Sequence, residues 1–354
     1  MKKILKNFLG QKKVFIIAES LIIVIIIGLL GMFLLGGSKD KPEDKEQVNK
    51  PTQEKEEVEN LKIVDINSKS RPYAVMINNI STARPLQSGL QDAYIIYELI
   101  VEGGITRYLA LFLDQDTERI GSIRSARHYY LDYALENDAI YVHHGQSPQA
   151  KEDFSKLGID RIEVTENKTG WRDKSLNVSS EHTLFSSIEK LNNGIGKKRT
   201  TRNNDLLLDY SADEISLSEM EGAIPANEIS IRYSNSNTSS YEYDNENKVY
   251  KRFVNDKEHT DYVTKEQYTF KNIITYKVDN SRISGDDKDR QNLDNIGSGE
   301  GYFITNGYAI KINWEKECRS CQTKYTYSNG KEIIVNDGNT FIQIQPADQK
   351  LNIS

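Results

Sequence analysis

The feature that most constrains this chain is one long apolar run close to its N-terminus. Residues 14–35 are almost wholly apolar, interrupted by Glu19 and Ser20. Twenty-two residues at helical rise cover about 33 Å, which is enough to cross the hydrocarbon core of a bilayer. Five lysines lie within residues 1–13, and the positive-inside rule therefore places this basic stretch in the cytoplasm. We expect a transmembrane anchor over residues 14–36, with the bulk of the chain outside the cell.

A cleaved secretory signal peptide is the alternative interpretation of the same run. Its apolar region normally extends over about 7–15 residues and ends in a small-residue cleavage site. The run here is longer, and neither an A-x-A pattern nor a lipid-accepting cysteine follows it. We therefore favour an uncleaved signal anchor, which makes the chain a single-pass protein of the cell membrane.

Beyond the anchor, the sequence divides into three parts. Residues 37–60 are highly charged and contain no aromatic residue, which predicts a disordered tether. Residues 61–225 alternate between strand and helix signals, typical of an α/β domain with a mixed sheet and helices. Residues 226–354 contain short alternating runs separated by Asn-Gly and Asp-Gly turns, which predict a mostly antiparallel β domain.

Several elements can be predicted within these two domains. Apolar runs at residues 73–77, 94–101 and 107–113 predict buried strands, and the EGGIT turn between the last two predicts a hairpin. Ser147 followed by Pro148 predicts a capped helix start. In the second domain, residues 279–299 are polar and charged, and we expect an exposed loop there.

Net charge limits the classes of partner. The chain carries a formal net charge of -6, so no basic surface for nucleic acid is expected. The predicted location outside the cell also argues against nucleic acid as a partner. The expected partners are the lipid bilayer, a cell-wall or lipid-linked glycan, and other envelope proteins.

The chain has two cysteines, Cys318 and Cys321, in a single C-x-x-C pattern. Such a pair is half of a zinc site, a redox pair or a local disulfide. A zinc site needs a second pair of ligands, and a thioredoxin-like pair begins a helix within a βαβ unit. This pair follows a strand-like segment instead. We expect a disulfide that pins a turn outside the cell, with redox catalysis as the alternative.

Polar side chains concentrate in a few loops of the first domain, where we expect a site for an anionic ligand. Guanidinium groups bind phosphate or carboxylate in a bidentate fork, and a helix start offers free N–H groups to anions. Solvated surface ion pairs are the alternative interpretation. The candidate ligand-binding residues are Glu98, Glu102, Arg107, Arg124, Arg127, His144, Ser147, Arg172, Asp173 and His182.

No catalytic residue and no metal site follow from these residues. A nucleophile paired with a base is not evident, and Ser147 does not lie in a G-x-S-x-G elbow. Zinc would need His143, His144 and His182 to converge. Adjacent histidines on a strand point to opposite faces, so His143 and His144 are poorly placed to share one metal.

Many of these stretches resemble the YerB-like family of extracytoplasmic proteins from Gram-positive and related bacteria, whose domain pair has an unknown-function label. The resemblance implies the two-domain architecture and the location, and it supplies no reaction. Many relatives resemble lipoproteins with a lipid-accepting cysteine, whereas a transmembrane helix is predicted here. The similar stretches are RPYAVMINNI (71–80), ARPLQSGL (83–90), YELIVEGGITRY (97–108), IGSIRSARH (120–128), AIYVHHGQSPQAK (139–151), WRD (171–173), EHTD (258–261), IGSG (296–299) and INW (312–314).

A second similarity points to a mechanism. Residues 107–128, with the amphipathic helix that ends in LGID at 157–160, resemble the core of LytR-CpsA-Psr phosphotransferases. That resemblance implies that Arg107, Arg124 and Arg127 grip a pyrophosphate, with a divalent cation offsetting its charge. Where that family has an acidic residue after the motif arginine, this chain has Ser125.

Three hypotheses for the function follow, and the sequence does not assign an enzymatic activity. The first is an envelope protein that binds an anionic ligand or partner through its arginine-rich site. The second is a phosphoryl- or glycosyl-transfer enzyme acting on lipid-linked cell-wall glycopolymer. The third is a non-catalytic scaffold that docks another envelope protein through the β domain.

Overall fold

The largest sheet in the computed structural model contains strands from both sides of residue 226. The structure describes residues 61–354. The predicted basic stretch, transmembrane anchor and charged tether therefore lie outside the described residues. Within residues 61–354, no helix is both long enough and apolar enough to span a membrane.

The described residues before 226 form a mixed set of strands with helices, as predicted, although the helices are few. Four short 3-10 turns lie between them, at Arg84–Leu86, Leu90–Asp92, Glu102–Gly104 and Ser180–His182. The α-helices are α1 (Tyr130–Glu136), α2 (Pro148–Lys156) and α3 (Ile188–Gly194). The strands are β1 (Tyr73–Asn78), β2 (Ile95–Ile100), β3 (Thr106–Phe112), β4 (Ile120–Gly121), β5 (Ile140–His143), β6 (Arg161–Glu163), β7 (Trp171–Arg172), β8 (Leu184–Ser186), β9 (Asp209–Ser211) and β10 (Ile224–Pro225).

Residues 226–354 form strands and no α-helix, and most of their pairings are antiparallel, as predicted. The strands are β11 (Glu228–Ser234), β12 (Asn237–Asp244), β13 (Val249–Val254), β14 (Lys257–Glu258), β15 (Thr269–Phe270), β16 (Asn272–Val278), β17 (Asn280–Arg282), β18 (Gln291–Leu293), β19 (Gly297–Thr305), β20 (Tyr308–Lys316), β21 (Lys324–Thr326), β22 (Ile334–Asn336), β23 (Thr340–Pro346) and β24 (Leu351–Ile353).

One continuous sheet of eleven strands joins these two parts. Its order is β10-β20-β19-β16-β23-β2-β3-β1-β5-β6, and β21 extends it by pairing with β20. β2 and β3 form the predicted antiparallel hairpin, whereas β1, β5 and β6 run parallel. At the junction, β23 runs parallel to both β2 and β16. The change of sequence pattern near residue 226 therefore separates two kinds of strand within one sheet, and the domain boundary there stays a prediction.

The central strand β2 shows how the layers stack. The Tyr97 hydroxyl donates to Glu136 of α1 at 2.7 Å, whereas the next residue, Glu98, contacts Arg252 of β13. Successive side chains of a strand point to opposite faces. Helix α1 therefore lies on one face of the large sheet. A six-stranded sheet, β14-β13-β12-β11-β24 with β15 beside β13, lies on the other.

Burial explains why these strands differ in sequence. Every residue of β1, β2 and β3 is buried, and strands covered on both faces are expected to be almost continuously apolar. Buried and less buried residues alternate along most of β11 and β13, as expected when one face is covered. A continuous apolar run thus indicates a strand covered on both faces, and an alternating run indicates a strand covered on one face.

An ion pair between the two sheets is completely buried. Glu98 Oε2 accepts from Arg252 Nη2 at 2.7 Å, and both side chains are 0% exposed. The remaining guanidinium nitrogens of Arg252 donate to the Tyr241 hydroxyl at 3.2 Å and to His259 Nδ1 at 2.8 Å. Because a buried charge is costly unless it is paired and hydrogen-bonded, these contacts tie the sheets together in one arrangement.

Residues 279–299 are mostly exposed, as expected, but the prediction that they form a loop was wrong. β17 and β18 pair there as an antiparallel hairpin, and β19 already begins at Gly297. Gln291 and Leu293 are buried on either side of exposed Asn292. The alternation spans only three residues, and the many charged neighbours obscured it.

Replacing Arg252 with Met should destabilise the protein strongly. The Glu98 carboxylate would stay buried without its guanidinium partner, and such losses cost about 3–5 kcal/mol of the free energy of unfolding. Urea denaturation of the full-length protein, followed by circular dichroism, measures this change. The double variant Glu98→Gln/Arg252→Met should recover part of the loss, because it removes the unpaired charge.

The neighbouring Lys251 offers a matched control. Its ammonium pairs with Asp244 at 2.7 Å, but its side chain is 45% exposed. Lys251→Met should cost less than about 1 kcal/mol, because exposed ion pairs contribute little. Equal losses for the two single variants would contradict the structural role given to the buried pair.

Candidate functional site

The candidate site lies where the parallel strands β1 and β5 end. Carboxyl ends of parallel neighbours meet at the same edge of a sheet, which here brings Asn78 and His143 together. The segment 123–127 (IRSAR) crosses this edge. The Arg124 N–H donates to the Met76 carbonyl at 2.9 Å, and the Arg124 carbonyl accepts from the His144 N–H at 3.1 Å. Backbone bonds therefore hold the arginine-bearing segment in place against both strands.

Two of the predicted arginines, Arg107 of β3 and Arg127 at the end of this segment, are buried together. Arg107 is 5% exposed and Arg127 is 7% exposed. Both guanidinium groups donate to the Ser125 carbonyl, and both face the carboxylate of Glu102. Arg127 Nη2 bonds Glu102 Oε1, and Arg107 Nη2 lies 3.6 Å from Oε2. Two buried cations thus share one carboxylate.

The pKa shifts reflect this imbalance of charge. Burial, together with the nearby Arg127 and Arg124, lowers the pKa of Arg107 to about 10. Burial acts to raise the pKa of Glu102, but Arg107 and Arg127 outweigh it and hold that pKa below its usual value. Arg127 Nε is buried and has no hydrogen-bond partner among the described residues. Arg107, Arg127 and Glu102 together therefore carry one net positive charge.

Arg124 turns toward the 3-10 turn at 180–182. Its Nη2 lies 2.6 Å from Glu181 Oε2, and His182 Nε2 lies 3.5 Å from Oε1 of the same carboxylate. The Asn78 amide donates to His182 Nδ1 at 3.0 Å, which leaves the ring proton on Nε2, facing Glu181. Burial lowers the pKa of His182. The neutral ring is therefore the form that this arrangement favours.

Arg172 holds the same turn from its other side. Its Nη1 donates to the Ser180 carbonyl, and its Nη2 donates to His144 Nε2 at 3.3 Å. His144 can accept this bond because its Nδ1 donates to the Val164 carbonyl at 2.8 Å. Arg107, Arg124 and Arg127 therefore lie at this edge of the large sheet, and Arg172, from β7 of a separate three-stranded sheet, reaches it by its bond to His144. We call these four residues the arginine edge.

The other predicted residues lie elsewhere or serve the fold. Glu98 is buried between the two sheets, and Asp173 pairs with Arg119 at 3.0 Å. Ser147 adjoins the arginine edge through its N–H, which donates to the Ala126 carbonyl at 3.1 Å. Its hydroxyl, however, accepts from the Ala150 N–H at 3.1 Å and caps α2. The Ser147 side chain thus already binds one of the N–H groups at the start of α2.

A buried polar chain that sequence reasoning missed connects the arginine edge to the ion pair between the sheets. Gln87 Nε2 donates to the Asn78 carbonyl at 2.5 Å, and Gln87 Oε1 accepts from His259. Burial, together with Arg252, lowers the pKa of His259 well below its usual value, so the ring is neutral. In order, the hydrogen-bonded residues are His182, Asn78, Gln87, His259, Arg252 and Glu98.

The sequence pattern could have indicated some residues of this hydrogen-bond series. Asn78 and Asn79 are polar residues placed directly after an apolar strand, where side chains reach a sheet edge. Arg252 occupies an inward position in an alternating strand. Among residues 61–354, no three His, Cys, Asp or Glu side chains converge as metal ligands would.

Comparison with known proteins identifies the family. A family model described as "Protein of unknown function (DUF3048) N-terminal domain" matches residues 60–201, and its C-terminal counterpart matches residues 229–342. Over 292 residues, the chain is 31% identical to "Putative lipoprotein YerB" of Bacillus subtilis (strain 168). That match covers 80% of this chain and 81% of the relative. The chain belongs to the YerB family.

A solved structure supports the same conclusion. The crystal structure of the YerB protein from Bacillus subtilis has a TM-score of 0.69 and 28% sequence identity to this chain. The similarity covers 80% of this chain and 94% of that one. The predicted resemblance to the YerB-like family is therefore confirmed. In this YerB-family protein, the arginine edge lies within the first matched region, and Arg252 and His259 lie within the second.

The protein should lose stability on acidification because of His143. This side chain is fully buried against Phe154, and burial lowers its pKa to about 4. Between the ordinary histidine pKa of about 6.5 and pH 4, the unfolded chain binds a proton that the folded chain does not. The free energy of unfolding should therefore fall by about 1.4 kcal/mol per pH unit for this residue as the pH decreases through that range.

Urea denaturation at several pH values, in the wild type and in His143→Phe, measures this contribution. Other groups also titrate in this range, so the difference between the two slopes isolates His143. A shallower slope in the variant is expected, since Phe binds no proton. Parallel slopes would contradict the assignment of a depressed pKa to His143.

Proposed function

We propose that this YerB-family protein is a membrane-anchored, extracytoplasmic envelope protein that binds an anionic ligand at the arginine edge. The location rests on the basic N-terminal stretch, the apolar run that follows it and the name of the Bacillus subtilis relative as a lipoprotein. The binding function rests on the charges at the edge of the large sheet.

The orientation in the membrane has a direct test. Alkaline phosphatase fused after Ser354 should be active, because that enzyme matures only outside the cytoplasm, and β-galactosidase at the same position should be inactive. Fusions of both reporters after Lys13 should behave in the opposite way. An active β-galactosidase fusion at Ser354 would refute the proposed location.

The observation that carries the binding function is the shared carboxylate beneath the arginine edge. Arg107 and Arg127 are more than nine-tenths buried, and both pair with the carboxylate of Glu102. An incompletely compensated buried charge is unfavourable, so this arrangement favours an additional anion. Arg127 Nε, which is buried without a partner among residues 61–354, offers that anion a free donor.

The other two arginines of the edge are partly exposed to solvent. The side chains of Arg124 and Arg172 are 23% and 24% exposed, and their carboxylate partners lie nearer the solvent. Glu181, which pairs with Arg124, is 51% exposed. Exposed ion pairs are worth little, so a ligand anion can replace Glu181 at small cost. Planar guanidinium groups favour a ligand with several oxygens, such as a phosphate, a pyrophosphate or a carboxylate.

Replacing Arg124 with Ala should weaken the binding of inorganic phosphate to the full-length protein. A hydrogen bond to a charged group contributes about 1.5–3 kcal/mol, which corresponds to an increase of about 10–100-fold in Kd. Isothermal titration calorimetry with phosphate, pyrophosphate and acetate measures the affinity and separates phosphate from carboxylate ligands. Arg199→Ala is a matched control, because Arg199 also pairs with one carboxylate, Asp138, and its side chain is 37% exposed.

Glu102→Gln provides the opposite change at the same site. The amide removes the negative charge that competes with a ligand while keeping the side chain's size. Phosphate should bind about tenfold more tightly, since a charge about 4 Å away contributes on this scale. Undetectable binding in the wild type and in Glu102→Gln would refute the proposed function, as would equal affinities of Arg124→Ala and Arg199→Ala.

A further inference from the structure

The connection between β20 and β21 reaches across the molecule to the helices of the first part. Cys318 and Cys321 form a disulfide in this connection, with their Cα atoms 5.0 Å apart. Between them lies Arg319, and Lys316 precedes them at the end of β20. We call Lys316, Cys318, Arg319 and Cys321 the disulfide clasp: Lys316 and Arg319 contact the helices, and the two cysteines close the loop beside them.

Arg319 binds three groups that belong to the first part of the chain. Its Nε donates to Asp132 of α1 at 2.6 Å, and its Nη1 donates to Asp153 of α2 at 2.8 Å. Its Nη2 donates to the His128 carbonyl at 3.0 Å, just before α1 begins. One guanidinium therefore bridges both helices. Burial raises the pKa of Asp132 to about 6 even beside Arg319, which indicates how unfavourable this carboxylate would be without the cation.

Lys316 makes the second contact with α1. Its ammonium donates to Glu136 Oε2 at 2.6 Å and to the Cys321 carbonyl at 2.5 Å, with both charged side chains no more than 1% exposed. Asp132 and Glu136 lie four residues apart on one face of α1. The clasp therefore neutralises both acidic residues of that face, and the Cys321 carbonyl helps to hold the lysine.

The disulfide closes the short loop that carries Arg319. A bond across three residues closes too short a loop to stabilise the fold greatly through chain entropy, so its main effect is on the loop itself. Both cysteines are partly exposed, so a small dithiol can reach them. They are also the two cysteines of the entire chain, and a reductant has no other target.

We infer that the Cys318–Cys321 disulfide is a redox-modification site, and that its reduction by a dithiol releases Arg319 and loosens α1 and α2. A thiolate of the dithiol attacks one sulfur, the S–S bond breaks, and the other cysteine leaves and takes up a proton. The second thiol of the reagent then displaces the remaining cysteine. Two cysteine thiols result, and the reagent departs as a disulfide. This inference goes beyond anion binding and does not rest on it.

Hydrogen–deuterium exchange of the full-length protein tests the inference, with and without dithiothreitol under native conditions. Reduction should raise exchange about tenfold or more in residues 130–136 and 148–156, because charge-assisted bonds of Arg319 are lost. Arg319→Ala in the oxidised protein should produce the same change. The double variant Cys318→Ser/Cys321→Ser should match the reduced wild type and should not respond to dithiothreitol.

Lys324→Ala serves as the control. Lys324 lies in the following strand, and its ion pair with Glu317 at 3.7 Å is exposed, so exchange in α1 and α2 should stay unchanged. Three results would overturn the inference: a disulfide that resists dithiothreitol, faster exchange confined to residues 317–323, or an Arg319→Ala variant that exchanges like the wild type. Phosphate titration of the same samples reports separately on the proposed function.

Discussion

The parallel pairing of β2 with β23 is the contact on which the rest of this structure depends. β23 lies between β2 and β16, so the large sheet is continuous only when the last part of the chain is in place. The register sets Glu98 beside Gln343, on the face that the six-stranded sheet covers with Arg252. Closing the long loop between these two strands has an entropic cost, which extensive burial along β1–β3 offsets.

The arginine edge depends on the same pairing, although its arginines all come from the first part of the chain. Glu102 lies in the turn after β2, where Gly103 and Gly104 adopt positive φ angles of 62° and 74°. Ser234 Oγ donates to the Gly104 carbonyl at 2.7 Å, and the Gly103 N–H donates to Asp289 at 3.1 Å. Ser234 of β11 and Asp289, between β17 and β18, thus hold the turn that carries the shared Glu102 carboxylate.

The local features of the chain were predictable, because they follow from neighbouring residues. The apolar runs of β1, β2 and β3, the EGGIT turn and the helix that Ser147 caps all appear where periodicity and capping predict them. Glu98 and Glu102 could not be distinguished in this way. They lie on one short stretch and look equally suited to an exposed site, yet Arg252, far away in sequence, places Glu98 between two sheets.

The sequence by itself determined where most strands lie along the chain and whether one or both of their faces are covered. It also determined the start of α2 and the family. These properties depend on residues that lie close together along the chain. The tertiary structure alone decided which strands are neighbours and which charges meet: Arg107 and Arg127 at Glu102, Arg252 at Glu98, and Arg319 at Asp132. An alternating pattern specifies that a side chain faces inward, but the partner it meets there comes from a distant segment, and only the completed fold brings the two together.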